Sequence, residues 1–99
     1  MNAAHVWVAK DDGSDIVLAA AIAGVGRDYN GNVTVRLSGG EQPVVTLVTD
    51  DAHRGPHTPD DFHLQLLRVI AQLSDTAEPA IIRPARDGPH GWLWQAGPL

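Results

Sequence analysis

The sequence contains no cysteine, and this absence excludes several kinds of chemistry. Without cysteine there is no disulfide framework, no thiol nucleophile and no thiolate ligand for zinc. The chain also lacks an apolar run of the roughly 18 residues that a membrane span requires, so we expect no membrane association. No basic segment precedes Lys10, which predicts a protein without an export signal and therefore a cytoplasmic one. One lysine against six arginines, with abundant Ala, Gly and Asp, resembles the coding bias of a high-GC bacterial genome, so we expect a bacterial origin.

Positive charge is scarce in this chain. Its 99 residues carry 7 Lys and Arg against 12 Asp and Glu, a formal net charge of -5. Nucleic-acid affinity depends on clustered basic side chains, so this balance makes a nucleic-acid partner an unfavoured interpretation. The length corresponds to one globular domain, residues 1–99, which is large enough to bury a core without metals or disulfides. Such a domain has little room for a deep catalytic cleft.

Turn signals divide the first half of the chain into short strands. Asn30-Gly31 predicts a type I′ hairpin, in which both residues take positive φ. The stretch 15–25 is ambiguous, because Ser14 and Gly24 would also suit the two ends of a helix. We favour two strands there, since the stretch is rich in β-branched residues. The predicted strands cover residues 5–10, 15–19, 21–28, 33–37 and 44–49, an antiparallel meander.

A helix is predicted over residues 59–75. Thr58 is placed as its N-cap, Pro59 falls at the first helical position, and Asp60 and Asp61 favour the positive end of the helix dipole. Apolar residues then recur on one face, which we expect to lie on the sheet. They are Phe62, Leu66, Val69, Ile70 and Leu73.

Two short strands follow the helix, at residues 80–83 and 92–95. Pro84 cannot donate to a strand ladder, so the first of these strands is expected to be an edge or to end there. The fold class is therefore α+β: an antiparallel β-meander, flat or curled toward a barrel, with one main helix packed on the sheet.

The densest group of polar residues lies in 50–63. His53, His57 and His63 occur there among aspartates, and imidazole is a preferred ligand of transition metals. His63 near a helix N-terminus also suits a neutral, proton-accepting ring. However, a Gly-Pro bend separates His53 from His57, so their spacing does not place them on one helix face. We predict no cofactor and no bound metal, and keep the histidines as weak metal candidates.

The aromatic residues suggest a contact surface. Trp92 and Trp94 are two positions apart, so on a strand they share a face, and Trp7 joins them if the terminal strands are neighbours. Tryptophan is enriched at protein interfaces. Leu64 projects from the polar side of the predicted helix. We expect at least one of the indoles to be largely exposed, with a homodimer or another protein covering this strand.

The sequence as a whole favours a small, non-enzymatic interaction or accessory module. Its predicted partner-binding residues are Trp7, Leu64, Trp92 and Trp94, and its partner is a protein or a second copy of the chain. Two alternatives stay open: a small histidine-dependent enzyme or metal-binding protein using residues 50–63, and a DNA-binding regulatory domain. Convergence of the three histidines would favour the first alternative. A stripe formed by Arg27, Arg36 and Arg83 would favour the second.

Overall fold

The computed structural model describes residues 4–39, 44–50, 57–86 and 91–99. In these residues the chain forms seven strands, one short 3-10 turn at Ala19–Ala21 and one α-helix. The strands are β1 (Val6–Ala9), β2 (Ile16–Leu18), β3 (Ile22–Arg27), β4 (Val33–Leu37), β5 (Val44–Val48), β6 (Ala80–Arg86) and β7 (Trp92–Pro98). The helix, α1, spans Phe62–Ser74.

The strands belong to two sheets, which gives an α+β fold. The larger sheet has the order β2-β1-β6-β7, and the smaller one is an antiparallel sheet with the order β3-β4-β5. The predicted α+β class with one main helix is confirmed, and β1–β2 and β3–β4–β5 are antiparallel as predicted. The meander is divided because β2 and β3 lie in different sheets, the parallel β1–β6 pair makes the larger sheet mixed, and the sheets do not close into a barrel. The 3-10 turn at Ala19–Ala21 separates β2 from β3, and the chain passes from the larger sheet to the smaller one there.

The buried core lies between the two sheets and α1. Its side chains come from both sheets and from one face of the helix, as the helical periodicity predicted. They include Val6, Val8, Val17, Val33, Val35, Val45, Leu47, Val48, Phe62, Leu66, Ile70 and Ile82. The helix packs against β1, β3 and β7, so it joins the two sheets. Within the described residues, no helix has the length and apolar character to cross a bilayer.

The hairpin between β3 and β4 forms where the sequence predicted it, but with another turn geometry. Gly31 has a φ of 91°, whereas Asn30 does not take a positive φ. The carboxylate of Asp28 instead holds the loop, accepting from the backbone N–H groups of Asn30 and Asn32. Partial desolvation raises the pKa of Asp28, but these hydrogen bonds outweigh it and leave that pKa below its usual value.

The helix begins three residues later than predicted, and Thr58 is not its N-cap. Asp61 directly precedes the helix, and a turn bond from the Phe62 N–H to the Pro59 carbonyl leads into it. Thr58 is buried and bonds to the β3–β4 hairpin instead. A threonine that ties two elements together and one that caps a helix look alike in sequence, since both precede the helix by a few residues.

The prediction for Pro84 is also wrong, because β6 lies inside the sheet and continues to Arg86. The N–H of Ala80 donates to the carbonyl of His5, so the backbone groups of Ala80 face β1. The direction of the backbone N–H and C=O groups alternates from residue to residue along a strand, so the backbone of Pro84 faces β1 as well. The pairing with β1 ends at Ile82. The missing N–H of Pro84 therefore removes no ladder hydrogen bond.

Truncating Leu66 tests the position of α1. Leu66 is fully buried, so Leu66→Ala should lower the free energy of unfolding by about 2–5 kcal/mol. Leu64 on the same helix is 44% exposed, and Leu64→Ala should change it by no more than about 0.5 kcal/mol. Denaturant unfolding of the two variants measures both values. Equal losses would show that the helix does not present this face to the core.

Candidate functional site: the outer face and free edge of the larger sheet

The two C-terminal tryptophans face the core. Trp94 stacks on Phe62 with 4.6 Å between ring centroids and 17° between planes. Its Nε1 donates to the Phe62 carbonyl at 2.9 Å. Trp92 lies 6.4 Å from the same ring, with the Arg86 guanidinium 4.8 Å from its own centroid. The two indoles therefore fill the space between β7 and the start of α1.

The expectation that at least one indole is largely exposed is wrong, because Trp7, Trp92 and Trp94 are all partly buried. Period-two spacing shows that Trp92 and Trp94 share a face, but it does not say which face points inward. Helix α1 has one phenylalanine at its first position and cannot close this end of the core alone. The tryptophans complete it.

Trp7 lies on the opposite side of the larger sheet. Val6 and Val8 point into the core, so Trp7 between them points away from it. The register pairs Trp7 with Leu18 and with Ile81. We call this side of the sheet the outer face; its side chains are Trp7, Ile16, Leu18, Ile81, Arg83, Leu93 and Gln95.

The outer face is largely apolar and has no covering layer within the described part of the chain. Its apolar members lie outside the main core cluster: Ile16 is 50% exposed, Trp7, Leu18 and Leu93 are partly buried, and Ile81 is buried among its neighbours. A shallow depression of about 430 Å³ lies here, lined by Trp7, Ile16, Ile81, Arg83 and Leu99. Contiguous apolar surface of this kind is a common mark of a contact site.

Arg83 is the one charged side chain that the described strands place on this face. It is exposed, and no hydrogen bond or ion pair joins it to another described residue. Gln95 is its neighbour across the β6–β7 ladder. An exposed guanidinium that pairs with no described carboxylate, with apolar side chains on one side and the turn at Lys10–Asp12 on the other, favours a ligand that brings its own anionic group.

Strand β7 forms one edge of the larger sheet, and its free backbone groups can be assigned. Because Ala80 faces β1, the pairs Ile81–Gly97, Arg83–Gln95 and Ala85–Leu93 are those that exchange hydrogen bonds between β6 and β7. The intervening residues of β7 therefore point their N–H and C=O groups away from the sheet. These residues are Trp92, Trp94 and Ala96.

The four predicted partner-binding residues do not form one surface. Trp7 is on the outer face, Trp92 and Trp94 line the core side of β7, and Leu64 is exposed on α1. Sequence reasoning missed Ile16 and Arg83 as members of the surface that contains Trp7. The alternation of Ile16 and Leu18 around buried Val17 was the available signal, but it identifies a face only once the pairing of β2 with β1 is known.

The polar region around Asp50 is a structural junction. The Asp50 side chain is fully buried, and its Oδ2 accepts from His57 Nδ1 at 2.9 Å and from the Thr58 N–H at 3.0 Å. Thr58 Oγ1 donates to the Gly31 carbonyl and accepts from Arg27 Nε. A Cβ at Gly31 would collide with the Asp50 carboxylate, so glycine is required there. The network ties the β3–β4 hairpin to the segment leading into α1.

The histidines do not form a recognisable metal site in the part of the chain that the structure covers. No group of three or more potential ligands occurs among those residues, and His53 lies outside them. His57 is 58% exposed and points its Nδ1 at Asp50. His63 has a buried Nδ1 that no described residue contacts through a hydrogen bond. The pair Asp50–His57 orients an imidazole, and no second group beside it is found among the residues that the structure describes.

The three arginines that would favour DNA binding do not form a stripe. Arg27 and Arg36 belong to β3 and β4 of the smaller sheet, whereas Arg83 belongs to β6 of the larger one. The Arg27 side chain is 13% exposed and is engaged with Thr58. It is therefore part of the fold and is not available to a phosphate backbone.

A larger cleft of about 680 Å³ lies near the β1–β2 turn, lined by residues that include Lys10, Asp12, Arg86 and Trp92. Its charges are largely satisfied within the fold. Lys10 lies 3.9 Å from Asp12, whose pKa is lowered mainly by hydrogen bonds from Ser14. The cleft therefore combines opposite charges and shows no preference for one kind of ligand.

Comparison with protein-family models, with curated proteins and with solved structures found no match for this chain.

The Asp50 junction yields a test of stability. Thr58→Val keeps the shape of a buried side chain but leaves the Gly31 carbonyl and Arg27 Nε without their partner, so the free energy of unfolding should fall by about 1–3 kcal/mol. Thr76→Val is the matched control, because the Thr76 hydroxyl bonds at an exposed helix end and its loss should cost no more than about 0.5 kcal/mol. If Thr58→Val unfolds at the same denaturant concentration as the wild type, the junction does not stabilise the fold.

Proposed function

We propose that this protein is a small, non-enzymatic interaction module that binds another protein through the outer face of its larger sheet. The observation that carries the proposal is the apolar outer side of that sheet, where half-exposed Ile16 and the partly buried Trp7 and Leu18 lie beside Arg83, whose side chain pairs with no other described residue. The other side of the same sheet is covered by α1 and the smaller sheet. A sheet normally buries an apolar side against another layer, and a partner would supply that layer.

The charge of this surface defines the chemistry of the partner. Two copies packed face to face would bring their Arg83 side chains together, and the described strands place no carboxylate on this face to pair with them, so the two like charges would repel. The expected partner is therefore a different protein, which presents apolar side chains around an aspartate or glutamate. A bidentate pair between that carboxylate and Arg83 would fix the orientation of the complex.

The histidine alternative has one supporting observation, the hydrogen bond that orients His57 against buried Asp50. The same carboxylate also binds the Thr58 N–H and packs against the hairpin, which accounts for its burial by a structural role. The outer face has no such explanation within the domain, so the interaction module is the better-supported function.

Matched charge substitutions test the proposal. Ile16 and Val44 are 50% and 54% exposed but belong to different sheets, so an aspartate at either position should be tolerated by the fold. A partner captured from the organism of origin, identified and purified, should bind Ile16→Asp at least about tenfold more weakly than wild type. Val44→Asp should bind like the wild type.

Arg83 variants refine the test. Arg83→Glu should abolish binding of that partner, whereas Arg83→Lys should retain part of it, because lysine keeps the charge but not the bidentate geometry. Unfolding curves of every variant control for loss of structure. A partner that binds Ile16→Asp and wild type equally well, or that is lost equally with Val44→Asp, would contradict the proposal.

A further inference from the structure

We propose that the free edge of β7 pairs with the same edge of a second copy, antiparallel and related by a two-fold axis at Gln95. This inference concerns the backbone edge of the larger sheet and does not require the outer face to bind anything. It joins the two four-stranded sheets into one continuous sheet with both outer faces on the same side.

The first observation is that β7 lacks the usual protection of an edge strand. Natural edges are blunted by charged side chains, bulges or shortness. Strand β7 has seven residues, carries no charged side chain and pairs with β6 in an unbroken register. Its one blunting feature is Pro98, at the strand end.

The other edges of the two sheets differ from β7 in this respect. Strand β2 has three residues, and β3 has a register irregularity near its start and ends in Arg27. Strand β5 is uncharged, but its Leu47 carbonyl accepts from the Asp11 N–H, so the β1–β2 turn covers part of it. Among the described strands, β7 is therefore the edge best suited to receive a further strand.

The second observation is the assignment of the free backbone groups. Trp92, Trp94 and Ala96 point their N–H and C=O groups outward, while Pro98 offers a carbonyl alone. In the register centred on Gln95, Trp94 of each copy lies opposite Ala96 of the other copy. Each of these two pairs exchanges backbone hydrogen bonds. Trp92 donates to the carbonyl of Pro98 of the second copy. Every outward donor is then used.

The third observation is the match of side-chain sizes and charge in this register. On the core side, Trp94 lies opposite Ala96 of the second copy, so a large side chain meets a small one. On the outer side, Leu93 lies opposite Gly97 in the same way. The two Gln95 side chains face one another across the axis and are able to exchange amide hydrogen bonds. The strand carries no charge, so the net charge of -5 on each copy does not oppose this contact directly.

Cysteine cross-linking tests the register. The chain has no cysteine, so a single introduced thiol can form a disulfide only with the same position of a second copy. Gln95 would form a non-hydrogen-bonded pair across the axis, with about 4.5 Å between Cα atoms, a separation that a disulfide spans. Gln95→Cys should therefore oxidise to a covalent dimer. Leu93→Cys on the same strand and face should stay monomeric. In this register Leu93 lies opposite Gly97 of the second copy, several residues away from the second copy's own position 93.

Sedimentation of the chain without introduced thiols tests the edge itself. The wild type should dimerise with rising concentration. Ala96→Pro should weaken the dimer at least about tenfold, because it removes the outward N–H of residue 96 from each copy without breaking the β6–β7 ladder. Ala23→Pro is the matched control, an exposed alanine in edge strand β3 with no register partner, and it should dimerise like the wild type. If Ala96→Pro unfolds, amide exchange of wild type replaces it: the Trp94 and Ala96 amides should gain protection with concentration.

Three results would overturn the inference: a wild type that remains monomeric at about millimolar concentration, equal cross-linking of Gln95→Cys and Leu93→Cys, or a dimer that Ala96→Pro leaves intact. Each of them leaves the proposed function to be decided by the Ile16→Asp comparison. Conversely, a wild-type dimer that cross-links at Gln95 supports the edge pairing even when no partner binds the outer face.

Discussion

The contact between Phe62 and Trp94 links the helix to the C-terminal strand, and the orientation of the larger sheet depends on it. Phe62 is fully buried at the first position of α1, and Trp94 both stacks on its ring and donates to its carbonyl. A stacked aromatic pair and a hydrogen bond between the same two residues fix distance and rotation together. Because the indole is held on the core side, β7 can present only its opposite face and its free edge to other molecules.

A second junction lies just before the same helix and attaches the smaller sheet. Arg27 and Thr58 connect β3 to the segment before α1, and buried Asp50 closes the network from the end of β5. The smaller sheet is thus attached to the start of the same helix that contacts β7. Both sheets are positioned by the first turn of α1 and the residues before it, and the helix lies on the side of the larger sheet opposite its outer face.

Local patterns predicted much of this fold. The helical periodicity of Phe62, Leu66 and Ile70 identified the buried face of α1, and the turn around Gly31 identified a hairpin. These features arise from interactions between residues close in the chain. The parallel pairing of β1 with β6 joins residues more than 70 positions apart, as in Val6 with Ala80, and no local signal carries it.

The candidate site could be predicted only in part for the same reason. Trp7 was identified as a surface residue, but its neighbours Ile81 and Arg83 come from β6 through that distant pairing. Trp92 and Trp94 were correctly placed on one strand face, yet which face is buried depends on where α1 lies. Pro84 predicted an edge because proline has no N–H to donate to a neighbouring strand. In the structure the pairing with β1 ends before Pro84, so no neighbouring strand requires that donor.

The aromatic C-terminal strand turns its tryptophans to the core while Trp7 faces outward, and paired alanine substitutions measure this directly. Trp94→Ala should lower the free energy of unfolding by about 3–5 kcal/mol, because it empties the space beside Phe62. Trp7→Ala should lower it by no more than about 2 kcal/mol. Denaturant unfolding of both variants beside wild type gives the comparison. A loss for Trp7→Ala that equals or exceeds that for Trp94→Ala would contradict the account.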